Sequence, residues 1–110
     1  MKAMLKKSQA QEPFSFTFKS DEGKALVKSE NYTAKKSALN GIESVKKNCQ
    51  NESRYDLKES KNGRFFFNLK ASNGQIVGTS ALFSSADERE HAIDQLKREA
   101  PRAELEEVAA

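Results

Sequence analysis

Displaced by 51 residues, the chain matches itself. Residues 14–47 align without a gap on residues 65–98. The identities are Phe14/Phe65, Phe16/Phe67, Lys19/Lys70, Gly23/Gly74, Ser29/Ser80, Ile42/Ile93 and Lys46/Lys97. Conservative pairs fill the intervals, among them Phe18/Leu69, Leu26/Val77, Tyr32/Phe83 and Val45/Leu96. The matched positions are mostly apolar or turn residues, which are the ones that carry a fold. Each half is then one structural unit that cannot bury its apolar face alone, so the halves must pack together. At this length, residues 1–110 form a single domain made of two repeats, about 1–52 and 53–110, with matched cores at 14–47 and 65–98.

Each copy reads the same way. Phe14, Phe16 and Phe18 alternate with Ser15, Thr17 and Lys19, and Phe65, Phe67 and Leu69 alternate with Phe66, Asn68 and Lys70. Period two marks a strand with one buried face. A turn follows, Asp21-Glu22-Gly23 in one copy and Ser72-Asn73-Gly74 in the other. Asn-Gly suits the positive φ angles of a tight hairpin turn. A second strand over 24–29 and 75–80 completes an antiparallel hairpin. The period then turns helical. Ala38, Ile42, Val45 and Cys49 form one stripe, and Arg89, Ile93, Leu96 and Ala100 form its counterpart. Thr33 is the expected N-cap of the first helix. Ser85-Ala86-Asp87-Glu88 fits a capping box for the second. Gly41 has Ala92 as its counterpart in the second copy, and two small residues at one matched position predict close packing of helix on sheet. Further strands are expected at Met4-Leu5, at 54–59 and at 103–108. The reading is an α+β fold. Two tandem β-β-β-α(-β) repeats form one shared antiparallel sheet, with both helices on one face and a pseudo-twofold between the copies.

The residues at 65–76, Phe-Phe-Phe-Asn-Leu-Lys-Ala-Ser-Asn-Gly-Gln-Ile, carry a resemblance. So do Lys28-Ser29-Glu30-Asn31-Tyr32-Thr33-Ala34-Lys35 and Asn40-Gly41-Ile42-Glu43-Ser44-Val45-Lys46. They are similar to the YegP-like family of small bacterial proteins with one or two copies of a domain of unknown function. The resemblance spans about Phe14 to Glu99. It implies three strands, a helix and a final strand per unit, with two units in one sheet exchanging their last strands. It also implies that a tandem chain is a fused counterpart of a homodimer of single units. It supplies no catalytic residue. The chain departs from the family pattern at Asp21-Glu22-Gly23, where Asn-Gly is usual, and at Ala81-Leu82.

Charge is unevenly spread. Residues 1–50 carry ten lysines against five acids, a balance of +5, and residues 51–110 carry nine bases against eleven acids, a balance of −2. A basic half can meet an anionic partner or serve as a solvated face. Residues 1–10 are too polar for a signal peptide, no apolar run approaches a membrane span, and Cys49 stands alone. A cytoplasmic protein without membrane contact is the expectation.

Little in the chain points to chemistry. His91 falls on the second helix away from its apolar stripe, with no nucleophile near it in sequence. Cys49 continues a core stripe. No phosphate-binding loop is present. No catalytic residue, metal site or cofactor is expected. Ser29 and Ser80 read as hydroxyls that satisfy backbone where strand passes into helix. Lys19, Phe66, Asn68 and Lys70 fall on the strand face opposite the core and form the candidate partner-contact surface. The function expected is therefore a non-catalytic interaction or structural module, with a protein partner or self-association. A nucleic-acid-binding accessory protein, using the basic half and the exposed sheet face, is the alternative; an enzyme comes third.

Overall fold

In the computed structural model, which describes residues 1–109, both copies contribute to one seven-stranded sheet. The first copy supplies β1 (Lys2–Lys7), β2 (Phe14–Lys19), β3 (Ala25–Lys28) and α1 (Lys35–Asn48). The second supplies β4 (Tyr55–Glu59), β5 (Phe65–Lys70), β6 (Ile76–Ser80), α2 (Ala86–Glu99) and β7 (Glu104–Ala109). The order across the sheet is β4-β5-β6-β3-β2-β1-β7. The copies meet at β3 and β6, where Lys28 pairs with Thr79, its own equivalent 51 residues on. The pseudo-twofold therefore passes through that pair. A repeated detail supports it: Phe14 exchanges backbone hydrogen bonds with Tyr32, and Phe65 does so with Phe83.

All neighbouring strands are antiparallel except β1 and β7, which run parallel with Lys2 opposite Glu104. The sheet is thus mixed at one edge. Connectivity explains it. The strand leaving α1 is β4, which takes the place in the second copy that β1 holds in the first. The strand leaving α2 is delivered in the symmetry-related direction, but β1 already fills that place. It therefore adds outside β1, in the same direction. Strand exchange is one-sided, and among the described residues no strand lies beyond β4.

The three tight hairpin turns, β2–β3, β4–β5 and β5–β6, share one form. Gly23, Gly63 and Gly74 hold φ near +80°, at 84°, 73° and 86°, and among the described residues no other residue type has positive φ. In the last turn Gly74 N–H bonds to the Ala71 carbonyl and Ala71 N–H to the Gln75 carbonyl. That is a three-residue loop with glycine in the left-handed position. Asn73 is not required to adopt positive φ, which is why Asp21-Glu22-Gly23 serves equally well. The first helix differs from expectation: Ala34, not Thr33, is its N-cap, and no side chain caps it. The equivalent position in α2 is Ser85, whose hydroxyl accepts from Glu88 N–H. A hydroxyl one residue too early cannot reach that amide.

The core is a single cluster between the sheet and both helices. Phe16, Phe18, Phe67, Leu69, Ile42, Val45, Ile93 and Leu96 are all buried in it. In the β2–β3 pair Phe18 faces Val27 and Lys19 faces Ala25, so Leu26 is an extra residue. This bulge lets Leu26 and Val27 both turn to the core. A Cβ on Gly41 would fall 2.7 Å from the Phe16 ring, and one on Gly78 would fall 2.3 Å from Val27 Cγ1. Helix and sheet, and the two copies at their seam, approach to the limit that glycine allows.

Candidate functional site

The alternation that buries Phe16, Phe18, Phe67 and Leu69 turns the remaining strand residues to a face that no helix covers. One row crosses five strands there: Asn68 opposite Thr79, Thr79 opposite Lys28, Lys28 opposite Thr17, and Thr17 opposite Met4. The two halves of this face differ electrostatically. On the β4–β5 side, Asp56 lies 3.5 Å from Lys58 Nζ and 3.4 Å from Lys70 Nζ. Thr79 Oγ1 donates to Asn68 Oδ1 at 2.8 Å. At the opposite edge Lys2 pairs with Glu106 at 3.1 Å, and that hydrogen bond raises the lysine pKa. Among the described residues Lys6, Lys19 and Lys28 make no ion pair. They border a shallow depression of about 430 Å³ that Ser15 and Thr17 also line, with no acidic side chain on its walls.

The expected surface residues Lys19, Phe66, Asn68 and Lys70 all lie on this face, but not as one group. Strands β6 and β3 stand between Lys19 and the three residues of β5. Asn68 and Lys70 are already engaged, and Phe66 is half-buried opposite Lys58. Lys6 and Lys28 are the residues the sequence reading passed over. Counting by twos from Leu26 puts Lys28 on the core side, and the bulge resets that count. The signal for Lys6 was present in its alternation with the buried Leu5.

Ser29 and Ser80 are occupied by backbone in both copies. Ser29 Oγ accepts from Phe16 N–H at 2.9 Å and donates to the Glu30 carbonyl at 2.7 Å. Ser80 Oγ accepts from Phe67 N–H at 2.9 Å and donates to the Ala81 carbonyl at 2.8 Å. Cys49 is buried at the end of α1, and burial pushes its thiol pKa up to about 11. Tyr55 Oη donates to the Cys49 carbonyl at 2.5 Å, and burial raises the phenol's pKa as well. His91 is exposed on α2, in a groove with Glu88, Arg98 and Glu99. The twofold-related groove has Asn40 in the place of His91. Among the described residues no helix is long and apolar enough to cross a membrane.

A shared sheet built from two sequential copies, with helices on one side and a bare face on the other, defines a class of tandem-repeat α+β proteins. The family model described as "Domain of unknown function (DUF1508)" matches residues 10–56 and again 60–107, and the chain belongs to that family. It is 45% identical over 95 residues to a UPF0339 protein from the ptx operon 5′ region of Stutzerimonas stutzeri, covering 86% of each chain. It is 45% identical over 84 residues to the UPF0339 protein YegP of Escherichia coli, covering 76% of each. The solution NMR structure of YegP from E. coli superposes with a TM-score of 0.91 at 38% identity, covering 99% of this chain and 93% of that one. That of a UPF0339 protein from Shewanella oneidensis gives 0.91 at 37%, covering 98% and 91%.

Proposed function

We propose that the protein is a non-catalytic binding module whose uncovered sheet face takes an anionic segment of a partner. The observation that carries this reading is the convergence of Lys6, Lys19 and Lys28, none of them in an ion pair among the described residues, on one depression whose own lining holds no acid. Like charges gathered in this way repel, and a bound anion relieves the repulsion. The Ser15 and Thr17 hydroxyls add donors for its oxygens. The non-catalytic part of the reading is supported by Cys49 and His91. The one is buried with its thiol held neutral, and the other stands in a groove whose twin has asparagine in its place.

An acidic protein segment is the first reading of the partner. Single-stranded nucleic acid is the second, favoured by Phe66 on the same face, where a base can stack while lysines meet phosphates. The first copy has Ser15 at the Phe66 position, so the aromatic platform is not repeated. Anisotropy titrations of labelled oligoglutamate and of a labelled single-stranded oligonucleotide test both readings. Binding that weakens with salt, and weakens further in a Lys6→Ala/Lys19→Ala/Lys28→Ala variant, is expected. Equal binding by the wild type and the triple variant refutes the face as the contact surface. The tighter of the two probes identifies the partner class.

A further inference from the structure

The free edge of β4 carries an inference independent of the sheet face. Its twofold counterpart β1 is covered by β7, whereas β4 has no neighbour on its outer side among the described residues. The direction of its backbone groups follows from the next strand. Phe65 exchanges both backbone bonds with Phe83, and Phe67 N–H goes to Ser80 Oγ, so these residues point toward β6. Phe66 and Asn68 therefore point toward β4, opposite Lys58 and Asp56. Backbone groups alternate along a strand, so Tyr55, Leu57 and Glu59 direct theirs to the vacant side. The Tyr55 N–H is taken by the Glu52 carbonyl, and the others have no such partner.

The edge is also held in place. Arg89 of α2 donates to the Lys58 carbonyl at 3.0 Å and lies over the Phe65 ring at 5.3 Å. Beside it, Leu57 is 48% exposed on the helix side of the sheet. Edges left bare in this way are templates for another strand, and what guards them is the charge pattern they carry.

That pattern is Tyr55-Asp56-Leu57-Lys58-Glu59. We infer that β4 is the docking edge for β4 of a second copy of this chain, antiparallel and centred on Leu57. In that register the two Leu57 residues exchange both backbone bonds, and each Glu59 N–H meets the Tyr55 carbonyl of the other copy. The Leu57 side chains cover one another on the helix side. On the opposite side Asp56 faces Lys58 of the other copy, and Lys58 faces Asp56. These are non-hydrogen-bonded pairs, in which side chains come closest. A parallel pairing in register sets Asp56 against Asp56 and Lys58 against Lys58, so the charges select the antiparallel arrangement. The contact is isologous and closes at two copies, so it does not propagate into a fibre.

Sedimentation velocity across the micromolar to millimolar range tests this, since an interface of one strand pair is small and weak. The wild type should shift from monomer to dimer with concentration. Asp56→Lys and Lys58→Asp should each weaken the dimer about tenfold or more, because two attractive pairs become repulsive. An equimolar mixture of those two variants should associate about as tightly as the wild type, since it sets the two bases of one chain against the two acids of the other, one pair on each side of the axis. Far-UV circular dichroism checks that both variants are folded. Leu57→Pro, which removes an outward N–H and leaves the bonds to β5 intact, should abolish the dimer. A wild type that stays monomeric throughout, or a mixture no tighter than either variant alone, overturns the inference.

Discussion

The seam between the two copies gives the sharpest test of the repeat. Val27 and Gly78 are equivalent positions, and they meet beside the pseudo-twofold. A methyl at Gly78 would stand 2.3 Å from Val27 Cγ1, roughly 1 Å inside the 3.4 Å at which ordinary contact begins. Val27 is fully buried, and its branched side chain has little rotational freedom to retreat. Gly78→Ala therefore overpacks the seam, at about 1–3 kcal/mol. The lower backbone entropy of alanine in a strand returns about 0.5–1 kcal/mol of that. Val27→Ala alone removes two methyl groups, costing about 1.6 kcal/mol in transfer and somewhat more for the void. If the two sites were independent the double variant would lose about the sum. If they share one space, each alanine fills what the other needs, and the double variant should recover about 1–3 kcal/mol of that sum. Urea denaturation of wild type, both single variants and the double variant measures the coupling. Additivity within about 0.5 kcal/mol would refute the idea that the copies meet through this contact.

Other predictions follow from the core, the hydroxyls and the titratable groups. Phe16→Ala and Phe67→Ala should each cost about 3–5 kcal/mol in denaturant titrations, a large share of a small domain's stability. Ser80→Ala leaves the buried Phe67 N–H without its acceptor and should cost about 1–3 kcal/mol, whereas a serine kept for a ligand would be near neutral. Ser84, donating from its hydroxyl and its backbone N–H, holds the Glu88 carboxyl below its usual pKa. Its contribution is present above the ordinary glutamate range and lost as pH falls through the lowered value. Glu88→Gln should therefore flatten the acid limb of a stability–pH profile. With its thiol at about 11 and no exposure, Cys49 should resist a thiol-specific reagent at pH 8 until urea unfolds the chain.

Alternating phenylalanines, helical stripes and matched glycines are local signals, and they made the hairpins, both helices and the single shared core legible in the sequence. What stayed hidden depends on geometry that residue type does not encode. A β-bulge shifts alternation by one without any sign in the sequence, so Lys28 moved to the opposite face from the one that counting assigns. The cap of α1 falls on Ala34 because the helix begins one residue later than the hydroxyl at Thr33 suggests. The parallel β1–β7 pair arises from which place in the sheet was already filled, a property of the whole chain. The candidate surface was legible in part for the same reason. Lys19, Phe66, Asn68 and Lys70 share a face by simple alternation, but which lysines lack an acid depends on pairings between strands distant in sequence.

The placement of β7 also sets a timetable for synthesis. Strand β1 is made before every other strand of the sheet, and the strand that covers its edge is made after them all. At translation rates of about 5–20 residues per second, the stretch between them takes about 5–20 seconds to produce. Throughout that interval the nascent chain carries β1 as an open edge. Its composition fits the exposure: Ala3, Met4 and Leu5 are bracketed by Lys2, Lys6 and Lys7, charges that discourage pairing with other nascent chains. The lysines that bracket β1 thus guard the chain until its own final strand arrives to close that edge.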